Sequence, residues 1–481
     1  MKRIKLGIAA GLLVVTAGVG TADADTTPAS PEEVPRQAAG TEQTYLILAR
    51  GNSLPSGLAD SVASAGGSIA EELPQIGVAT ATSTNPDFAT SLASVRGIRS
   101  VSRSPRIQRV APTHEVAGPN VSAYGNPPQS SDDDRFFDLQ WGHDAVDAPE
   151  AWSEGRRGAQ ARVAVLDTGF DLDHPDLAPN IVESRSFVPG EGAQWVGGIF
   201  SHGTHTAGTI AAADNGLGII GVAPEASLLL GKVLPDAGCG GDGPILAGIV
   251  WAGGEADADV ISLSLGAPMN KSGYLEVGCD PGPEDDIEVS ASEVAEIRHA
   301  YDRAVRYARS NGATVIASAG NDASDGDHTA DLIHLPSDAV GVISISATAP
   351  TGWAADPTTN LDSPASYTNF GRSVIDFSAP GGDLQYPGEE DCTVAGITRA
   401  CFVFDLVFST GSDGWYWSAG TSMAAPHAAG IAALIVGANG GERAPVRVEA
   451  AMRELADPLG GGNDPYYGKG AVDATNSVED D

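Results

Sequence analysis

From about residue 134 onward, short apolar runs alternate with stretches of helical pattern, and this alternation constrains the fold of the 481-residue chain more than any other feature. The runs Val163-Ala164-Val165-Leu166, Val260-Ile261-Ser262-Leu263, Val315-Ile316-Ala317 and Val342-Ile343-Ser344-Ile345 are bounded by Gly, Asn and Asp. Near-continuous apolar strands of this kind are buried on both faces. The helical stretches fall at 203–213, 243–255, 290–310 and 422–437. Together they predict an α/β fold with a mostly parallel sheet covered on both sides. Functional groups in such a sheet collect at the carboxyl ends of the strands.

The preceding residues read differently. A basic start (Met1 to Lys5), an apolar run (Leu6 to Val19) and the small-residue pattern Ala22-Asp23-Ala24 predict a signal peptide over 1–24. Residues 25–43 form a flexible leader rich in Pro, Ala, Thr and Glu. Residues 44–111 predict a small α+β domain of order β-α-β-β-α-β, a ferredoxin-like arrangement, with one helix over 86–95 behind an Asn85 cap. Residues 112–133 are a linker by composition, and 134–481 form the main domain. The formal net charge is -36, from 27 basic and 63 acidic residues, and the first 115 residues hold ten of each sign. The acidic excess therefore lies entirely beyond them, where it disfavours nucleic acid and anionic membranes as partners. A secreted monomer that leaves the membrane after signal cleavage is expected. Export permits disulfides, and of three connectivities neighbour pairing is preferred: Cys239–Cys279 and Cys392–Cys401. The lack of any Cys-x-x-Cys argues against a zinc ribbon or dithiol redox site.

Four short motifs carry chemistry. Gly420-Thr421-Ser422 opens a helix of small residues, which aims a serine from a helix N-terminus; alone, it reads equally as a helix cap. Asp167 ends a strand in Asp167-Thr168-Gly169, and a second such triplet, as an aspartic protease needs, is absent. His202 opens the helix His202-Gly203-Thr204-His205, which lacks the acid of a His-Glu-x-x-His zinc motif; His205 reads as a buried support. Asn321 ends another strand in Ser318-Ala319-Gly320-Asn321, where its amide could donate to an oxyanion or simply close a turn.

In the order Asp, His, Ser, these blocks resemble the subtilisin-like serine proteases, or subtilases, over roughly 134–478, and 44–111 resembles that family's inhibitory propeptide. The resemblance implies a three-layer subtilisin-like fold and a secreted serine endopeptidase made as a self-processing zymogen. Its substrates would be proteins or peptides, and its own propeptide its intramolecular inhibitor. By position it implies Ser422 as nucleophile, His202 as general base and acid, Asp167 as the orienting acid, and Asn321 with the Ser422 N–H as the oxyanion hole. Ser264-Leu265-Gly266 and Ser318-Ala319-Gly320 match the two walls that hold substrate. A structural Ca²⁺ is implied at Asp134 (or Asp133), Asp176, the Asn215 side chain and the carbonyls of Ala213, Leu217 and Ile219, although these acids could equally belong to an acidic surface. Two stretches, 267–298 and 382–417, are long for the family and are expected near the cleft rim. The aromatics Trp415-Tyr416-Trp417 could serve packing or substrate contact. The rivals are a silent binding module of the same fold, disfavoured by the intact motifs, and a serine-carboxyl peptidase, disfavoured by His202 and Asn321.

Overall fold

The computed structural model describes residues 42–104, 107–108, 115–118 and 134–475, apart from 199, 272–288, 330, 389, 442 and 462. The expected signal peptide, residues 25–41 of the leader, nearly all of the linker and Cys279 lie outside the described residues.

Residues 42–104 fold as β1 (Gln43–Ala49), α1 (Leu58–Ser64), β2 (Gly67–Leu73), β3 (Val78–Ser83), α2 (Phe88–Ala93) and β4 (Ile98–Arg103). Their antiparallel sheet has the order β2-β3-β1-β4, that of a ferredoxin-like unit. The period of two along β1 sorts its side chains. Tyr45 and Ile47 pack with Leu58, Val62, Phe88 and Leu92 in the unit's own core, while Leu46 and Leu48 turn outward into a core shared with the main domain. Helix α2 is shorter than expected because Asn85 does not cap it: its amide donates to Ala65 O (2.7 Å) and accepts from Asp87 N (3.1 Å). Two short strands follow, β5 (Ile107–Gln108) and β6 (Val116–Ala117).

The main domain begins with α3 (Trp141–Asp144) and α4 (Ala148–Ser153), then β7 (Arg162–Asp167), β8 (Ile181–Ser186), α5 (His202–Ala211) and β9 (Ser227–Lys232). It continues through β10 (Cys239–Gly240), α6 (Asp242–Ala252), β11 (Val260–Leu263), β12 (Ala267–Asn270), α7 (Ala291–Ser310), β13 (Thr314–Ser318), β14 (Leu332–Leu335) and β15 (Val342–Ala349). After β16 (Ser363–Pro364) and β17 (Phe377–Pro380) come two hairpins, β18 (Asp391–Val394) with β19 (Ile397–Ala400) and β20 (Val407–Gly411) with β21 (Gly414–Ser418). The last helices are α8 (Thr421–Gly437) and α9 (Pro445–Leu455).

An eight-stranded sheet of order β16-β15-β13-β11-β7-β9-β8, with β17 beside β15, forms the middle layer. Every pairing in it except β15–β16 is parallel. Both faces are covered, as the apolar runs require. Val163 and Val165 of β7 pack with α5 and α8 on one side, and Ala164 and Leu166 with α6 and α7 on the other. Helix α8 is buried from Thr421 to Val436, which explains its run of Ala and Gly: small side chains let it lie close to the sheet on all sides.

The described part of 382–417 departs from the expected position at the cleft rim. Its second hairpin packs against α5, with Thr410 Oγ1 donating to Thr204 O (2.7 Å) and Ser409 Oγ to His205 O (2.9 Å). The reason is apolar: Trp415 and Trp417 turn inward and bury with Phe136, Phe404 and Phe408. Cys392 and Cys401 form the expected disulfide across the first hairpin. No described cysteine is free, and Cys239's expected partner Cys279 lies outside the described residues.

Candidate active site

Three strand ends and two helix N-termini bring the expected residues together. Asp167 is the last residue of β7 and is fully buried. His202 is the first residue of α5, whose Ser201 cap accepts from Thr204 N. His202 Nδ1 lies 2.8 Å from Asp167 Oδ1, and Asp167 also accepts from Thr168 N (2.7 Å) and Thr206 Oγ1 (3.3 Å). This close approach needs Gly203, since a Cβ there would lie 2.8 Å from Gly169 O and 3.2 Å from Asp167 Cβ. The other ring nitrogen, His202 Nε2, is buried with no hydrogen-bond partner. His205, one turn on, is the buried support expected: its Nε2 lies 3.1 Å from Tyr416 O, and burial pushes its pKa down to about 3.

Ser422 is the second residue of α8. Its Oγ donates to Ser264 O (3.2 Å), and Ser264 Oγ donates back to Ser422 O (2.8 Å). The second bond has a local cause. Four residues on stands Pro426, inside the helix and without an N–H, so the Ser422 carbonyl loses its helical donor and Ser264 supplies one.

Asn321 joins the same point from the end of β13. Its Oδ1 accepts from Thr421 N (2.9 Å) and Thr421 Oγ1 (2.7 Å), so it caps α8 in place of Gly420, which has no side chain to do so. That fixes Nδ2 as the outward end of the amide. A Cβ placed on Gly420 would lie 3.3 Å from Asn321 Nδ2 and 3.6 Å from Ser422 N. The two donors therefore converge on one spot beside Ser422, which a glycine keeps open. Around them run Ser264-Leu265-Gly266, leaving β11, and Ser318-Ala319-Gly320, leaving β13, two neighbouring parallel strands. Elsewhere, β5 pairs antiparallel with β10, Ile107 opposite Gly240 and Gln108 opposite Cys239.

Asp134, Asp176 and the loop 213–219, named for calcium, also meet. Asp134 and Asp176 are fully buried. Asp134 Oδ1 accepts from Asn215 N (3.4 Å), and Asp176 Oδ2 from Ile219 N (3.0 Å), so both carboxylates bind the same loop, 213–219. Asp176 Oδ1 is buried with no hydrogen-bond partner. Sequence reasoning missed Trp415, whose Nε1 donates to Asp176 Oδ2 (2.7 Å) from the hairpin. It also missed the Asn321 cap and the Ser264 bond, because neither the reach of a side chain nor the partner of an orphaned carbonyl is written in local sequence. Among the described residues no group of three or more His, Cys, Asp and Glu side chains could hold a metal, so this site would rest on two carboxylates, an amide and carbonyls.

Residues 158–470 match the Subtilase family. The chain is 32% identical over 343 residues to Subtilisin NAT of Bacillus subtilis subsp. natto, covering 71% of each chain. It is 31% identical over 349 residues to Thermitase of Thermoactinomyces vulgaris, covering 72% of this chain and 98% of that one. The chain belongs to the subtilase family. In fold, this subtilase is similar to the epidermin leader peptide processing serine protease from Staphylococcus aureus, with a TM-score of 0.68 at 19% identity over 91% of this chain and 97% of that one. As a subtilase it is a serine endopeptidase that acts on peptide bonds. No helix among the subtilase's described residues is long and apolar enough to cross a membrane.

Proposed function

We propose that this subtilase is a secreted, calcium-stabilised endopeptidase made as a zymogen, with Ser422, His202 and Asp167 as its catalytic triad. The observation that carries the proposal is the convergence of Asn321 Nδ2 and Ser422 N on one open spot beside the Ser422 hydroxyl. Ser422 Oγ leaves Ser264 O as substrate binds, passes its proton to His202 Nε2 and attacks the scissile carbonyl carbon. The oxyanion takes hydrogen bonds from Asn321 Nδ2 and Ser422 N–H. Asp167 holds the imidazole so that Nε2 is free to receive the proton, and it stabilises the imidazolium that forms. His202 then protonates the leaving amine, and a water molecule hydrolyses the acyl-enzyme. The decisive test is hydrolysis of a peptide library by the purified protein beside Ser422→Ala. Equal behaviour of the two would overturn the reading.

The N-terminal unit acts as the inhibitory propeptide. Ile107 and Gln108 pair with β10, and Val116 and Ala117 pair with β21, the strand that leads to Ser422. Self-cleavage then falls between Gln108 and Val116. N-terminal sequencing of the secreted protein checks this, and a mature start outside that window refutes it.

Calcium suits the loop at 213–219. Asp134, Asp176, Asn215 and the carbonyls of Ala213, Leu217 and Ile219 would hold it, and the unpartnered Asp176 Oδ1 supports the fit. Held there, a calcium ion would neutralise the buried carboxylates and fix the loop between α5 and β9.

A further inference from the structure

We propose that His334 sets the substrate preference of this subtilase by occupying the slot that would receive the P1 side chain, so that the enzyme cleaves after small residues. The inference rests on the triad reading above. A carbonyl held by Asn321 and Ser422 places its P1 side chain between the chain segments that adjoin them, Ser264-Leu265-Gly266 on one side and Ser318-Ala319-Gly320 on the other. Glycine ends each segment, which by itself would leave a wide slot. The imidazole of His334, from β14, fills it. A Cβ built on Gly266 would lie 2.9 Å from His334 Nδ1, and one built on Gly320 would lie 2.7 Å from Nε2 and 2.8 Å from Cδ2. Both glycines are thus in contact with one ring that spans the gap between them.

The ring is held where it stands. Its Nδ1 lies 3.1 Å from Ser337 Oγ, and its backbone N donates to Asp338 Oδ2 (2.8 Å). The strand beneath it is paired with β12, Pro268 opposite His334 and Ala267 opposite Leu335. A large P1 side chain would have to break this arrangement, whereas a Gly, Ala or Ser at P1 needs no deeper space. His334 also lines a cavity of about 40 Å³ with Ala319, Asp338 and Ile375, so removing the imidazole would join slot and cavity into one deeper pocket.

The test is a P1 series of otherwise identical peptides, Gly, Ala, Ser, Leu and Phe, hydrolysed by the self-processed enzyme and by His334→Gly and His334→Ala. The wild type is expected to cleave after Ala at least about tenfold faster in kcat/KM than after Phe, the scale on which pocket size discriminates. Either variant is expected to raise the ratio of kcat/KM for Phe to that for Ala about tenfold or more. The wild-type profile alone decides if both variants misfold. A flat profile, or one that favours Leu or Phe, overturns the role of His334 while leaving the protease reading intact. Failure to cleave any peptide, matching Ser422→Ala, overturns the protease reading and this inference with it.

Discussion

The side-chain amide of Asn321 divides its two ends between two tasks: Oδ1 caps helix α8, and Nδ2 faces the spot proposed for the oxyanion. The tasks can be separated by substitution. Asn321→Asp keeps an acceptor for Thr421 and loses the outward donor, so kcat is expected to fall by about 100- to 1,000-fold or more while Tm holds. Asn321→Ala loses both ends and should also lose about 1 kcal/mol of stability. Kinetics beside thermal melts of the two variants check this, and a stable, fully active Asn321→Asp would refute it. At this scale the sequence was partly legible. The sequence singles out Asp167, His202, Asn321 and Ser422, which the fold brings together, because each sits at a junction of strand or helix that leaves a mark in Gly and small residues. The contact of His334 with Gly266 and Gly320 and the bond of Trp415 to Asp176 were not legible, because the partners come from β14 and β21, far along the chain, and nothing near them in sequence names the glycines or the carboxylate they meet.

Between elements, helix α8, which carries Ser422, is tied to strand β11 by one exchange. Pro426 removes the N–H that would serve the Ser422 carbonyl, and Ser264 Oγ replaces it. Ser264→Ala would leave that buried carbonyl unpaired, at a cost of about 1–3 kcal/mol. Pro426→Ala restores the helical donor, so the double variant is expected to be more stable than Ser264→Ala alone, a non-additivity that denaturant unfolding can read. Strictly additive losses would refute the link. The hairpin of β20 and β21 braces the loop at 213–219 through Trp415, and the loop is the proposed calcium site. Chelator is therefore expected to lower the Tm of the wild type, and Asn215→Ala to shrink that shift. A Tm indifferent to both chelator and added calcium would refute the site. The alternation of apolar runs and helices revealed the parallel sheet well. The hairpin's position was misjudged because the same aromatic residues suit a rim or a core, and only the partners Phe136, Phe404 and Phe408 decide for the core.

Across the whole molecule, the N-terminal unit docks on α6 and α7 by apolar packing and by charge. Arg99 makes two bonds to Glu296 (2.8 and 3.0 Å), Ser100 adds a third, and Arg103 bonds Glu293 through its side chain and its backbone N. Burial pushes both carboxyls up, but the hydrogen bonds from Arg103 and Ser290 at Glu293, and from Arg99 and Ser100 at Glu296, more than offset it and hold both below the usual glutamate range. A depressed pKa means that the bound state favours the charged form. Its contribution is fully present above the free glutamate pKa of about 4.3 and is lost as pH falls through the lower bound value. Cleaved as proposed, the N-terminal unit is therefore expected to bind more weakly below about pH 4, and Glu293→Gln with Glu296→Gln should weaken it at neutral pH and flatten the pH dependence. Inhibition of the mature enzyme by the separately added unit measures both, and pH-independent inhibition would refute the charge contribution. The burial of α8 has a further consequence. The helix that carries Ser422 is packed into the centre of the molecule from Thr421 to Val436. A population of such enzymes digests its own members whenever one of them opens. With Ser422 carried on a helix buried along its length, exposed segments loosen first, so self-digestion is expected to fall on those segments in molecules whose proposed site is still formed.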